Sequence, residues 1–171
     1  DVVMEDVRVP ASALLGKEGN GFLVSMKTLD MSRPYVGAGA VGIAKRWIDE
    51  AVAYSKQRVT FGSAISNHQA IQFMLADMEI RTETARSMVI QAVTRQEQGL
   101  SYSKESAIAK CYAGDIAVQN ALDAIQILGG YGYSREYPVE KLLRDAKIFQ
   151  IYEGTNQVQR MVISRAVMGR F

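Results

Sequence analysis

From about residue 22 onward, apolar residues recur at steps of three and four, the spacing that places them on one face of an α-helix. Residues 22–57 form the first such stretch, interrupted at Pro34, where a missing N–H and a ring clash predict a kink or a break between two helices. Gly37, Ala38, Gly39, Ala40, Gly42 and Ala44 follow it, small residues that lower helix propensity and so imply tight packing against a neighbouring helix or close approach by a ligand. A loop over residues 58–67, centred on Phe61-Gly62, leads to a second helix over 68–98 with Ile71, Met74, Met78, Ala85, Met88 and Ala92 on one face, ended by Gly99. A third helix covers 103–128, with Ala107, Cys111, Val118, Ala121, Ile125 and Leu128 at helical steps and Gly129-Gly130 as its left-handed cap. A short helix follows Pro138, and a last one begins near Thr155 and carries Val158, Met161, Val162 and Met168.

Ahead of these helices, residues 2–9 mix apolar and charged positions in rough alternation and close at Pro10, which predicts a strand. Gly16, Gly19 and Gly21 then mark a loop. The expected fold class is all-α, an up-down bundle of four to five antiparallel helices preceded by a remnant β-strand. The methionines at helical spacing read as core filler.

Length and charge narrow the function. The 171 residues suit one domain with a sizeable core, and 20 Lys+Arg against 18 Asp+Glu leave a net charge of +2, too little to steer the chain to nucleic acid or anionic lipid. Charged residues interrupt every apolar run, so no membrane span is expected and the protein reads as soluble. The single cysteine, Cys111, has no partner for an internal disulfide and points to an intracellular setting. The chain opens on Asp1 in what reads as mid-strand, with no charged-then-apolar leader, and is expected to be a fragment. His68, alone at a helix start, reads as a cap or packing residue, and no cluster with metal-ligand spacing is present.

Three loops carry residues that packing does not require. In Arg58-Val59-Thr60-Phe61-Gly62, an Arg fork suits a phosphate diester and a hydroxyl or ring could cover the same ligand, although for this motif taken alone a surface Arg capping a helix end is the better explanation. In Gln126-Ile127-Leu128-Gly129-Gly130-Tyr131-Gly132-Tyr133, glycines let a backbone approach a ligand and Gln126 offers donor and acceptor, but a capped helix followed by a turn accounts for it too. The third, Ile151-Tyr152-Glu153-Gly154-Thr155-Asn156-Gln157-Val158-Gln159-Arg160, sets an acidic residue just before a helix that Thr155 can cap and whose free N–H groups can face an anion. Turned inward, Glu153 is a candidate general base; turned outward, it is a solvated Glu before a helix.

Together these loops, with Asp30-Met31-Ser32-Arg33-Pro34 and Arg144-Asp145-Ala146, resemble in order and spacing the carboxy-terminal helical domain of acyl-CoA dehydrogenases. The resemblance covers the whole chain. It implies that residues 1–22 are the last strand and linker of a truncated middle β-domain, and 23–171 the carboxy-terminal bundle. It implies FAD as cofactor and Glu153 as the base that removes the α-proton of an acyl-CoA thioester while the β-hydrogen leaves as hydride to the flavin.

By the same resemblance, Arg58, Thr60 and Phe61 reach FAD across a dimer interface, Gln126, Gly129 and Gly130 add neighbouring contacts, and Thr155 and Gln157 bind beside the catalytic loop. Asp30, Arg33, Tyr152 and Gly154 match substrate-binding positions, although Asp30 and Arg33, three apart on a helix, also read as a plain surface ion pair. Isovaleryl-type members place their base immediately before the Arg matched by Arg33; Ser32 stands there in this chain and Glu153 stands late, as in the short- and medium-chain type.

The resemblance further implies a homodimeric or homotetrameric parent, an electron-transferring flavoprotein as electron acceptor, and residence in a bacterial cytoplasm or mitochondrial matrix. The fragment alone is expected to be inactive. The rival expectations are a non-catalytic helical assembly module, and an acyl-CoA oxidase or enoyl-CoA reductase of the same superfamily.

Overall fold

Helix α1 runs unbroken from Gly21–Gln57, straight through Pro34, so the expected break does not occur. Pro34 has no N–H to give the Asp30 carbonyl one turn back, and the buried Ser106 hydroxyl on another helix donates to that oxygen instead, at 2.5 Å. A tertiary contact thus supplies the bond that the local sequence removes. The computed structural model describes residues 2–169. Asp1, which opens the expected strand-and-linker segment, and Arg170 and Phe171, which close the expected bundle, lie outside the described residues.

After α1 come a two-stranded hairpin, β1 (Val59–Thr60) and β2 (Ser63–Ala64), then α2 (Gln69–Glu97), α3 (Ser103–Leu128), α4 (Val139–Lys147) and α5 (Asn156–Val167). The strand expected over residues 2–9 is not formed: the segment is exposed and irregular. A strand needs a partner for its N–H and C=O groups, and the described residues provide none there.

Helices α1, α2 and α3 form the centre. Along α2 and α3, Arg81 meets Asp123, Thr82 shares a bond with Asn120, and Arg95 meets Glu105, so position rises on one helix as it falls on the other and the pair is antiparallel. Gly37 of α1 faces both Val89 and Ala109, and Lys45 faces Glu79, which sets α1 antiparallel to α2 and parallel to α3. The three run up, down and up.

Alanines fill the seams: Ala40, Ala44, Ala85, Ala113, Ala117 and Ala121 are buried, with Trp47 and Met78 as the large members of the core. The small residues after Pro34 serve this packing. A Cβ on Gly37 would lie 3.0 Å from Val89 Cγ2 and 3.4 Å from the Ala109 carbonyl.

Helix α5 departs from its expected face. Val158, Met161 and Met168 are exposed, whereas Asn156 and Gln159 are the buried positions. Hydrogen-bonding demand from the preceding loop outweighs hydrophobic pattern here, because unpaired buried polar groups cost more than exposed apolar ones.

Candidate active site

Two adjacent left-handed residues, Glu153 (φ 59°) and Gly154 (φ 83°), turn the chain between the 3-10 segment Ile148–Gln150 and α5. A non-glycine residue in that region carries strain of about 1–2 kcal/mol, so the surroundings must enforce it. Thr155 caps α5 as expected, accepting from the Val158 N–H at 3.3 Å. The half-buried Glu153 carboxylate is directed to α1, where the Ser32 hydroxyl donates to Oε2 at 2.8 Å. Glu153 therefore turns inward.

The turn is held from behind. Lys110 Nζ on α3 donates to the Gly154 carbonyl at 2.8 Å and to Asn156 Oδ1 at 3.0 Å. Gln159 Nε2 donates to the carbonyls of Glu153 and Gly154 at 3.1 and 3.0 Å. Asn156 Nδ2 ties the loop to the Cys111 carbonyl and to Asp115 Oδ1, and Asp115 in turn pairs with Arg160 at 2.6 Å. Burial lowers the Lys110 ammonium from its ordinary range and raises the Cys111 thiol. The Tyr152 phenol is also pushed up, by burial first and the Glu153 charge second. Its ring stands edge-on to Phe149 at 5.5 Å.

Arg33, one residue beyond Ser32, pairs with Asp30 and is only 5% exposed, which removes the plain surface ion pair as its explanation. Its Nε has no partner among the described residues. Asp30 also lines a groove of about 500 Å³ between the start of α1 and residues 100–103.

Six of the eight expected cofactor residues divide between two further clefts that share no lining residue, and Phe61 and Gln126 line neither. The larger, about 680 Å³, brings together Arg58, Thr60, Gly129 and Gly130 with Tyr54, His68 and Glu136. Arg58 forms no ion pair among the described residues, and a Cβ on Gly129 or Gly130 would meet nothing within 4 Å, so a guanidinium and an open backbone edge face the same space. A diphosphate fits that chemistry. The hairpin turn above it places Phe61 (φ 52°) and Gly62 (φ 77°) in the left-handed pair that a two-residue connection requires, leaving Phe61 99% exposed at the tip. Gln126 is exposed and lines neither cleft. Tyr54, Tyr131 and Tyr137 pack ring to ring at 5.5–6.3 Å and hold the glycine loop against α1.

The second cleft, about 420 Å³, contains Thr155 and Gln157 with Asp115, Lys147 and Arg160. Among the described residues no group of three metal-ligating side chains assembles, and no helix is long and apolar enough to cross a membrane.

The sequence motifs mark no role for Lys110, Asn156 or Gln159, and they give His68 only as a cap or packing residue. Lys110 lies on the same helical stripe as Ala107 and Gly114, and a charge on a buried stripe is the signal that could have marked it. His68 makes no capping bond; its ring lies 3.3 Å from Thr60 Oγ1, inside the larger cleft.

The fold and these sites define a helical domain that presents a half-buried carboxylate from a polar cradle and two clefts with no lining residue in common. Residues 19–168 match the family described as acyl-CoA dehydrogenase, C-terminal domain. The chain is 50% identical over 169 residues to an acyl-CoA dehydrogenase of Bacillus subtilis (strain 168), covering 99% of itself and 45% of that protein. Butyryl-CoA dehydrogenase from Megasphaera elsdenii superposes with a TM-score of 0.95 at 50% identity, over 97% of this chain and 43% of that one. An FAD complex of PigA superposes with a TM-score of 0.90 at 30% identity, over 98% and 44%. The chain belongs to the acyl-CoA dehydrogenase family, as its C-terminal helical domain, and spans less than half the length of these relatives.

Proposed function

We propose that this chain is the C-terminal part of an FAD-dependent enzyme that oxidises acyl-CoA thioesters to trans-2-enoyl-CoA, with Glu153 as the base. The observation that carries the reading is the Glu153 carboxylate turned inward from a strained turn held by three hydrogen bonds, and met by Ser32 at 2.8 Å. A carboxylate in water is too weak a base for a thioester α-carbon. A useful one must be fixed in place, shielded, and close to the carbon.

In this reading Glu153 takes the α-proton on a carboxylate oxygen, and Ser32 orients that carboxylate beforehand. FAD, when bound, supplies the acceptor for the β-hydrogen as hydride. Arg58 and Thr60 would bind the diphosphate, with Phe61, Gln126, Gly129 and Gly130 beside them. Thr155 and Gln157, in the other cleft, would bind the cofactor of the catalytic loop's own subunit. Two clefts with no residue in common fit a cofactor shared between subunits, hence a homodimer or homotetramer. Asp30, Arg33, Tyr152 and Gly154 would line the acyl-CoA path.

Residues 2–9 would form the last strand of a β-domain, pairing only there, with the residues up to the start of α1 as its linker. An electron-transferring flavoprotein is the proposed acceptor. The fragment alone, with its base but without the remaining length of its relatives, would be inactive.

The test is anaerobic addition of butyryl-CoA to the intact polypeptide. Flavin bleaching is expected, and Glu153→Gln abolishes it; bleaching that survives in the variant removes Glu153 from the chemistry. Peroxide formation in air would mark an oxidase instead.

A further inference from the structure

Lys110 is the least expected charge in the fold. It sits in the first half of α3, 1% exposed, and forms no ion pair among the described residues. Its ammonium rests on two neutral oxygens, the Gly154 carbonyl and Asn156 Oδ1. A buried ammonium on neutral acceptors loses more hydration than it regains, and an apolar side chain would serve the packing of α3 better. Both acceptors, however, belong to the segment that carries Glu153.

Gln159, on α5 and fully buried, shares the Gly154 carbonyl with Lys110 and adds a bond to the Glu153 carbonyl. The fit is close: a Cβ on Gly154 would lie 2.9 Å from Gln159 Nε2. Three bonds from two helices thus converge on two successive carbonyls, in a turn that a glutamate does not adopt by preference.

Resting on the reading of Glu153 as the base, we propose that Lys110 and Gln159 are positioning residues: they clamp the left-handed Glu153–Gly154 turn and so fix where the carboxylate meets the substrate. Neither side chain touches substrate in this role. Release of the clamp lets the turn relax toward ordinary backbone conformations and carries the carboxylate away from Ser32 and from the α-carbon. A displacement of about 1 Å in reacting geometry can slow a step by roughly 100-fold.

The experiment uses the intact, FAD-loaded polypeptide that carries this chain, with Lys110→Met and Gln159→Met made separately. The expected result is a fall in kcat of roughly 10- to 100-fold with KM for butyryl-CoA within about 2-fold and flavin content unchanged. With α-deuterated butyryl-CoA, the isotope effect on flavin reduction rises in both variants, because proton removal has become the slow step. Lys110→Arg, which keeps charge and donors, recovers part of the loss. A merely structural role would lower Tm and flavin content and leave the isotope effect per active site as it was.

A parent-like kcat and isotope effect in either Met variant overturns the proposal, as does lost activity with an unchanged isotope effect. Should Lys110→Met not assemble with flavin, the same readouts on Gln159→Met decide. Glu153→Gln run alongside separates the two ideas. If it still reduces flavin, the base assignment fails; if it is dead while the Met variants are parent-like, only the clamp fails.

Discussion

Ser32 on α1 and Glu153 before α5 are 121 residues apart in sequence, and the hydroxyl of one donates to the carboxylate of the other at 2.8 Å. The two positions therefore address one point in space from opposite sides. A carboxylate moved from 153 to 32 should reach nearly the same place. The double variant Ser32→Glu, Glu153→Gly is expected to recover part of the flavin reduction that Glu153→Gly alone loses, measured by rapid mixing with butyryl-CoA. The single variant Ser32→Glu should be impaired, since two carboxylates at hydrogen-bond distance repel. No recovery in the double variant would show that the two side chains do not face a common target.

The larger cleft gives a binding prediction. Charge-assisted hydrogen bonds to a diphosphate contribute about 1.5–3 kcal/mol, so Arg58→Met should weaken FAD retention by roughly 10- to 100-fold in the intact protein. Arg58→Lys should fall between, because an ammonium keeps the charge without the fork. Flavin content after gel filtration, with fluorescence titration of the apoprotein, reads both.

Asp115 predicts the acid limb of stability. Burial alone would raise its carboxyl, but hydrogen bonds from Arg160, Asn156 and Gln150 outweigh that and hold it below the ordinary 3.8. A carboxyl depressed in the folded state stabilises fully above its unfolded value, and the contribution is lost as pH falls toward the folded value. Asp115→Asn should therefore flatten the decline of Tm between about pH 5 and pH 2, while lowering Tm at neutral pH, where the Arg160 pair is lost.

Two glycines should respond in opposite directions to Ala. At Gly114 of α3 a Cβ would lie 2.8 Å from the Phe149 carbonyl, so Gly114→Ala must push back the chain that leads into Glu153 and should cost about 1–3 kcal/mol. At Gly42, exposed within α1, a Cβ meets nothing within 4 Å, and Gly42→Ala should stabilise by about 0.5–1 kcal/mol. Urea unfolding of the two variants distinguishes the cases.

How far the pattern reached differs by element. Helix α3 begins at Ser103 and ends at Leu128 as its period and paired glycines imply, because both helix face and cap are local properties. Pro34 misleads for the opposite reason: its cost is local, but its remedy, the Ser106 hydroxyl, comes from another helix. The segment over residues 2–9 carries a strand's alternation and stays irregular, since a strand exists only with a partner. The outward apolar face of α5 was hidden for a related reason: Asn156 and Gln159 are buried by what they bond, and no periodicity encodes that.

The sequence alone determined the helices, the glycine stops, the Thr155 cap and, through the order and spacing of its loop motifs along the chain, the family. These follow from backbone propensity and from residue types that only near neighbours need to read. Only the tertiary structure decided that Glu153 turns inward to Ser32, that Lys110 and Gln159 grip its carbonyls, and that Arg58 shares a cleft with Gly129 and Gly130. Each of these depends on where α1, α3 and α5 come to rest against one another. That placement is set by summed packing over the whole core, which no stretch of chain specifies by itself.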